Sequence, residues 1–488
     1  MSRRAWVRLD NASNIFLAAR STRDPKVFRI SAEVDHEVDP ALLQQALDET
    51  YVRYPLFRAV LRRGVFWYYL QDSDLQPTVL PDEERTCAPI YQVDRRNLLF
   101  RVIHHRRRIN LEVFHALTDG TGALWFLTDL VTAYLRHHDA LGAPGEPTAQ
   151  AVRGRIGAPH TDVAEPVHEL TTDAFAQYFH RRRRRARRAR RARRAAGSSD
   201  FSRAATPAPL TVPGAADGAT DAEADADAAD ERRRSRQTPG RRVYTVRGTR
   251  TPDHRPRLVE LTMPAAQVLA LARAEQVALT MYLTAVFFES VRRAAGGLGR
   301  TPTLSASVPV NLRQFFPSTS ARNFFATIRV EHTYGQGADD LGAISRGLER
   351  DFRARATPEA LERKLRRFIR FEKSPMLRIV PRPVKDVLLG LVNRVSNRGL
   401  TVAVSNLGRV SLPASSDARV GRMLFHVSAV RPQFCAMSHG GMLTISFTSP
   451  FVETDHVREF ARQLTGAGVD VSVAAARATE QELAEVGR

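Results

Sequence analysis

His115 and Asp119, four residues apart, with Gly120 directly after the acid, form the most chemically suggestive cluster in this chain. An unperturbed imidazole ionises near pH 6.5, so at neutral pH it can take a proton from a hydroxyl or amine and return it later. A carboxylate across a tight turn can hold the histidine loop in shape, and glycine permits a backbone approach that a Cβ would block. Alone, the H-x-x-x-D-G spacing is weak, because it arises by chance and a structural histidine with a turn-capping aspartate is the simpler reading. Neither Cys87 nor Cys435 lies in a nucleophile-like context, and two cysteines build neither a disulfide framework nor a cysteine-based zinc module.

The surrounding elements make a positioned base plausible. Ile109, Leu111 and Val113 alternate with Asn110 and Glu112, the period of a half-buried strand, which runs straight into Phe114–Gly120. Leu124, Leu127, Leu130, Val131, Tyr134 and Leu135 then recur at helical spacing, so the motif occupies a strand–turn–helix junction. Upstream, Asp39-Pro40 opens a helix with a capping carboxylate and a first-turn proline, and Tyr54-Pro55 ends it. Strand patterns follow at Phe66–Leu70 and Leu98–His104.

In the second half, strands are expected at Leu258–Met263, Thr303–Val310, Phe324–Val330, Gly399–Leu407, Met423–Val430 and Met442–Ser449. Two helices are expected within Ala265–Ala295 and a terminal one over Glu453–Leu464. The pattern predicts an α+β protein of two lobes with mixed sheets, 1–165 and 243–488, around an insertion at 166–242.

The chain has 488 residues, 43% hydrophobic and 26% charged, which supports a large core and excludes a wholly disordered protein. Its net charge of +21 invites a nucleic-acid reading, but the charge is local. Arg181–Arg194 holds eleven arginines in fourteen residues, and Asp217–Glu231 then holds seven carboxylates. Such blocks carry too little apolar surface to offset ordering entropy, so roughly 181–242 reads as a disordered polyampholyte. A tether to an anionic membrane surface through Arg181–Arg194 is the alternative. Nucleic acid is disfavoured because Phe201 is the lone aromatic residue available for base stacking there.

No apolar run of about 18 residues occurs and Met1–Asp10 lacks a signal-peptide core, so a cytoplasmic protein is expected, with peripheral membrane association as the variant. The remaining clusters read as structural: His104-His105 as an exposed hairpin end, His137-His138-Asp139 as a helix C-terminus, and Gly296-Gly297-x-Gly299 as a loop. No metal site is expected. Phe315, Phe316, Phe324 and Phe325 read as core or channel wall, or as an acyl-chain pocket.

The segment FHALTDGTGALWFL, Phe114–Leu127, resembles the H-H-x-x-x-D-G motif of the chloramphenicol acetyltransferase-like superfamily, which includes peptide-synthetase condensation domains, and within it the chain resembles the bacterial alcohol acetyltransferases. The resemblance extends to DPALLQQALDETYVRYPLFRAVL at Asp39–Leu61, VPVNLR at Val308–Arg313, RNFF at Arg322–Phe325 and VSNLGRV at Val404–Val410. It implies two lobes with a channel between them and His115 as the catalytic base, Phe114 standing in the first histidine position. It further implies a structural Asp119 paired with an arginine, for which Arg313 is the candidate, and space at the channel from Gly120. Ser405 or Asn406 would supply an oxyanion donor. The D-F-G-W-G sequence of the plant branch is absent.

The activity implied is acyl transfer from acyl-CoA, a co-substrate and not a bound cofactor, to an alcohol or amine acceptor. The alternatives are a condensation-like or polyketide-associated acyltransferase using a carrier-protein thioester, and a non-catalytic nucleic-acid or membrane binder using the arginine run.

Overall fold

The computed structural model describes residues 6–9, 11–93, 95–142, 243–251, 255–300, 302–372 and 380–475. The insertion expected at 166–242, with its Arg181–Arg194 run, lies outside the described residues.

The first half begins with β1 (Trp6–Arg8), α1 (Asn11–Ala19), β2 (Val27–Val34) and α2 (Pro40–Arg53). It continues through β3 (Val60–Arg63), β4 (Tyr68–Gln71), β5 (Val79–Pro81), β6 (Phe100–His105), β7 (Arg108–Phe114) and α3 (Gly120–Gly142). The second half opens with β8 (Arg257–Pro264), α4 (Ala265–Ala274), α5 (Leu279–Ala294), β9 (Thr303–Asn311) and β10 (Phe325–Thr333). Three helices follow, α6 (Leu341–Arg355), α7 (Pro358–Glu372) and α8 (Arg382–Arg398), then β11 (Val402–Arg409) and the short α9 (Ala414–Asp417). The last elements are β12 (Val420–Val427), β13 (Gln433–His439), β14 (Met442–Ser449), α10 (Asp455–Gly466) and β15 (Ser472–Ala475).

Local chemistry explains the helix that begins the first core. Asp39 caps α2, its Oδ1 accepting from Ala41 N at 2.7 Å and Leu42 N at 3.2 Å, with Pro40 in the first turn. Leu42, Leu43, Ala46, Leu47 and Tyr51 bury one face of it, and α3 packs alongside. Among the described residues three sheets result: β1-β4-β3, the five-stranded β12-β2-β7-β6-β5, and the seven-stranded β10-β9-β11-β13-β14-β8-β15. The protein is thus a mixed α+β fold of two lobes, one around each large sheet.

Sheet membership does not follow the sequence boundary at 242. Strand β12, from the second half, pairs antiparallel with β2 and forms an edge of the five-stranded sheet, Leu424 opposite Ser31 and Phe425 opposite Ile30. It also packs across β13 and β14 of the other sheet. On β13 the alternation divides two cores: Phe434 and Ala436 belong to the second-lobe core, Cys435 and Met437 to the first.

The expectation of a half-buried β7 is corrected. Its polar face is covered too, with Asn110 2% and Glu112 0% exposed. The Glu112 carboxylate accepts from Arg29 Nε at 2.8 Å, Arg101 Nε at 2.7 Å and Cys87 N at 2.6 Å. Paired and hydrogen-bonded in this way, a carboxylate can sit in the interior without an uncompensated charge.

The histidines at the end of α3 likewise act differently from a C-terminal cap. The helix continues to Gly142, His137 contacts Glu49, and His138 stacks on His36 with ring centroids 3.7 Å apart. His104-His105 does lie at the β6–β7 hairpin end, where His105 is exposed.

Candidate active site

β7 delivers His115 to the seam between the lobes immediately before α3 begins. Its backbone N–H donates to Lys26 O at 2.8 Å, and its carbonyl accepts from Asn323 Nδ2 at 2.8 Å. The loop bearing the imidazole is therefore tied to β2 on one side and to the segment before β10 on the other. Phe16 of α1 stacks on the imidazole at 3.9 Å between centroids, 13° from parallel. Phe28 meets it edge-on at 5.0 Å and Phe325 lies 5.7 Å away.

This aromatic enclosure strips water from the ring and pulls its pKa from 6.5 down to about 4. The backbone carbonyl of His115 itself, the Asp119 carboxylate and the Asn323 side chain oppose the shift but do not cancel it, and Lys26 adds to it. Among the described residues, Nδ1 is buried with no hydrogen-bond partner, as is Asn323 Oδ1. The lowered pKa leaves the ring neutral at pH 7.

Asp119 holds the turn. Oδ1 accepts from Gly122 N at 3.0 Å, while Oδ2 accepts from Phe324 N at 2.8 Å and from Arg313 Nη1 at 2.7 Å. Both side chains of this ion pair are only 7% exposed. Arg313 also donates through Nη2 to Ser320 O at 2.8 Å and to Arg322 O at 2.7 Å. The hydroxyl of Thr118 donates to Ala321 O. Residues 320–325 thus form a clasp whose successive backbone and side-chain groups grip the 115–122 turn.

Gly120 does not face open space: a Cβ there would lie 2.7 Å from Leu407 Cδ2, so the glycine admits the Leu407 side chain. The two polar residues before Leu407 point to opposite sides of β11. Asn406 turns toward α5, donating to Thr280 Oγ1 at 3.0 Å while its Oδ1 accepts from Gly408 N at 2.7 Å. Both ends of its amide are occupied by the fold. Ser405 stands opposite Cys435 of β13, whose side chain lies in the first-lobe core, so Ser405 faces the first lobe, as Leu407 does. Its hydroxyl makes no hydrogen bond with a described residue.

Phe114 is fully buried against Tyr91, with centroids 5.5 Å apart, and is core. Burial raises the pKa of both Cys87 and Cys435, which keeps them as thiols. Phe324 is fully buried, whereas Phe325 is half-buried and close to His115. The site residues missed by sequence reasoning are Phe16, Phe28 and Asn323. Asn323 lies inside the RNFF segment, the one signal that could have found it; Phe16 and Phe28 carry none.

The architecture is that of the chloramphenicol acetyltransferase-like and condensation-domain fold. No protein-family model and no curated sequence matches the chain. Among solved structures, it is similar to the first condensation domain of the calcium-dependent antibiotic synthetase, at TM-score 0.56 and 14% identity, covering 95% of this chain and 97% of that one. It is similar to the trichothecene 15-O-acetyltransferase from Fusarium sporotrichioides at TM-score 0.55 and 10% identity, over 95% and 94% of the two chains. The starter condensation domain of rhizomide synthetase, in complex with C8-CoA and Leu-SNAC, aligns at TM-score 0.55 and 12% identity, over 95% and 94%.

Proposed function

We propose that the protein is an acyltransferase that moves an acyl group from acyl-CoA to an alcohol or amine, with His115 as general base. The observation carrying this reading is the imidazole itself: neutral at pH 7, stacked under Phe16, and held by hydrogen bonds from its own backbone N–H and to its own carbonyl, which tie it to two other segments. The likeness of fold to an acetyltransferase and to a condensation domain bound to C8-CoA supports acyl transfer as its chemistry.

In the reaction, Nε2 takes the proton of the acceptor O–H or N–H as that oxygen or nitrogen attacks the thioester carbonyl carbon. The carbonyl π electrons move onto oxygen, giving a tetrahedral oxyanion. Collapse re-forms the carbonyl and breaks the C–S bond, and the departing thiolate recovers the proton from the imidazolium. Ser405 is the donor proposed for the oxyanion, a contribution of about 3–4 kcal/mol where such donors have been removed. Asp119, Arg313 and Asn323 position the loop without touching the reacting atoms.

Free-thiol release from acetyl-CoA and longer acyl-CoAs, measured across a panel of alcohols and amines, tests the reading. His115→Ala is expected to lower turnover by about 10²–10⁴-fold, the range of general-base catalysis. Full retained turnover would remove the base assignment. Turnover with a carrier-protein thioester but none with acyl-CoA would move the donor to the condensation-like alternative.

A further inference from the structure

On α8, Val384, Val387, Leu388 and Leu391 are exposed by 57%, 74%, 42% and 56%. Their spacing is i, i+3, i+4, i+7, which makes one apolar stripe facing away from the protein. The opposite face is seated: α8 packs on α1, Lys385 is buried, and its Nζ donates to Phe66 O at 3.1 Å. Arg382 N donates to Val65 O at 3.1 Å, and Tyr68 Oη to Asp386 at 2.8 Å. These bonds fix the β3–β4 hairpin tip beside the stripe, where Val65 and Phe66 are 72% and 43% exposed. A contiguous apolar surface of this kind on two neighbouring elements marks an interaction site.

We propose that this surface docks on an anionic lipid bilayer, α8 lying in the headgroup plane with the hairpin tip inserted beside it. The charge of the two elements selects this occupant. Apart from the seated Lys385, β3–β4 and α8 carry five basic residues, Arg62, Arg63, Arg382, Arg394 and Arg398, against the single carboxylate of Asp386. An exposed apolar helix face on an element with excess positive charge is the signature of interfacial binding, and each cation near an anionic surface adds attraction. A second copy of the chain would bring like charge against like charge. The acidic stretch Asp217–Glu231 has charge to match but no large apolar side chain to cover the stripe. The site is separate from the Arg181–Arg194 run.

Docking here has a route to the reaction centre. α8 rests on α1, and α1 carries the Phe16 ring that covers His115. The membrane contact is therefore one element removed from the imidazole.

Sedimentation of the full chain with phosphatidylcholine vesicles, with and without phosphatidylglycerol, tests the proposal. Three variants accompany the wild type: Val387→Glu with Leu391→Glu, all eleven arginines of 181–194 changed to Gln, and both sets together. Thermal unfolding of each controls for folding, which exposed positions should not disturb. Expected are binding to the anionic vesicles only, a loss of about tenfold or more in the Val387→Glu/Leu391→Glu variant, and retained binding when only the arginine run is neutralised. Binding that ignores the α8 substitutions in both backgrounds would overturn the proposal, as would no binding at all. A dimer in light scattering that the same two substitutions dissolve would assign the stripe to a second copy and also overturn it.

Discussion

Removing the Asp119 carboxylate should unfasten the turn that carries His115 and much of the fold with it. In Asp119→Ala, the Arg313 guanidinium, 7% exposed, keeps its charge but loses its counter-ion. Breaking a buried pair in this way costs about 3–5 kcal/mol. Gly122 N and Phe324 N lose their acceptor as well. Each orphaned buried donor adds about 1–3 kcal/mol, partly recovered by water entering the space. The expected destabilisation is therefore about 4–7 kcal/mol, comparable with the whole stability of many proteins. Arg313→Ala should cost about 3–5 kcal/mol, since it leaves the carboxylate in place of the cation.

The double variant has no stranded charge and should be less destabilised than the sum of the singles by about 2–3 kcal/mol. Urea unfolding at pH 7 is the assay, with fluorescence of Trp125 as one reporter, because the Arg313 guanidinium lies 5.3 Å from that ring. Turnover of the folded fraction should fall too, because Asn323, between Arg322 and Phe324, holds the His115 carbonyl. Single substitutions costing under about 1 kcal/mol, or strictly additive effects, would refute the clasp as argued.

Three further outcomes follow from the same geometry. Because burial lowers the His115 pKa from 6.5 to about 4, the acid limb of kcat/KM should have its midpoint near pH 4; Phe16→Ala admits water and should move that midpoint up toward 6.5, whereas a wild-type midpoint at 6.5 would contradict the enclosure. His456 is also lowered to about 4, so the unfolded chain binds its proton first as pH falls, and folding stability should drop between pH 6.5 and 4 by about 3 kcal/mol from this residue. Denaturation against pH should show a shallower decline in His456→Phe. Gly122→Ala should destabilise by about 3 kcal/mol and Gly120→Ala by about 1 kcal/mol, because the first Cβ meets the Ala321 carbonyl and the second only the end of the Leu407 side chain; equal effects in thermal unfolding would be inconsistent with those contacts.

How far the sequence was legible depends on how local the cause is. β8 and β14 read correctly because their composition and turn boundaries are local, and α2 because its cap and proline are. β13 escaped notice: its Phe-Cys-Ala-Met run faces a core on each side and so has no polar alternation to betray it. β2 was obscured by Arg29, whose buried charge is matched by Glu112 of β7 and by Asp82, just after β5. The Asp119–Arg313 pairing was legible through motif segments. Phe16 was not, because a residue 99 positions before its partner leaves no mark on the motif. For Ser405 and Asn406 the period of a strand says that neighbours diverge, but only the pairing with β13 says which one faces the first lobe.

The placement of β12 bears on how the chain comes to be folded. The β2 edge of the first sheet has no partner until residues 420–427 exist, more than three hundred residues after the rest of that sheet has been made. During synthesis the first half must wait with an open strand edge, an invitation to pair with another chain. A fragment ending in the 143–242 region should accordingly aggregate alone and become soluble when co-expressed with the remainder. The protein is a pair of lobes in shape but one piece in assembly, locked by the strand that arrives late.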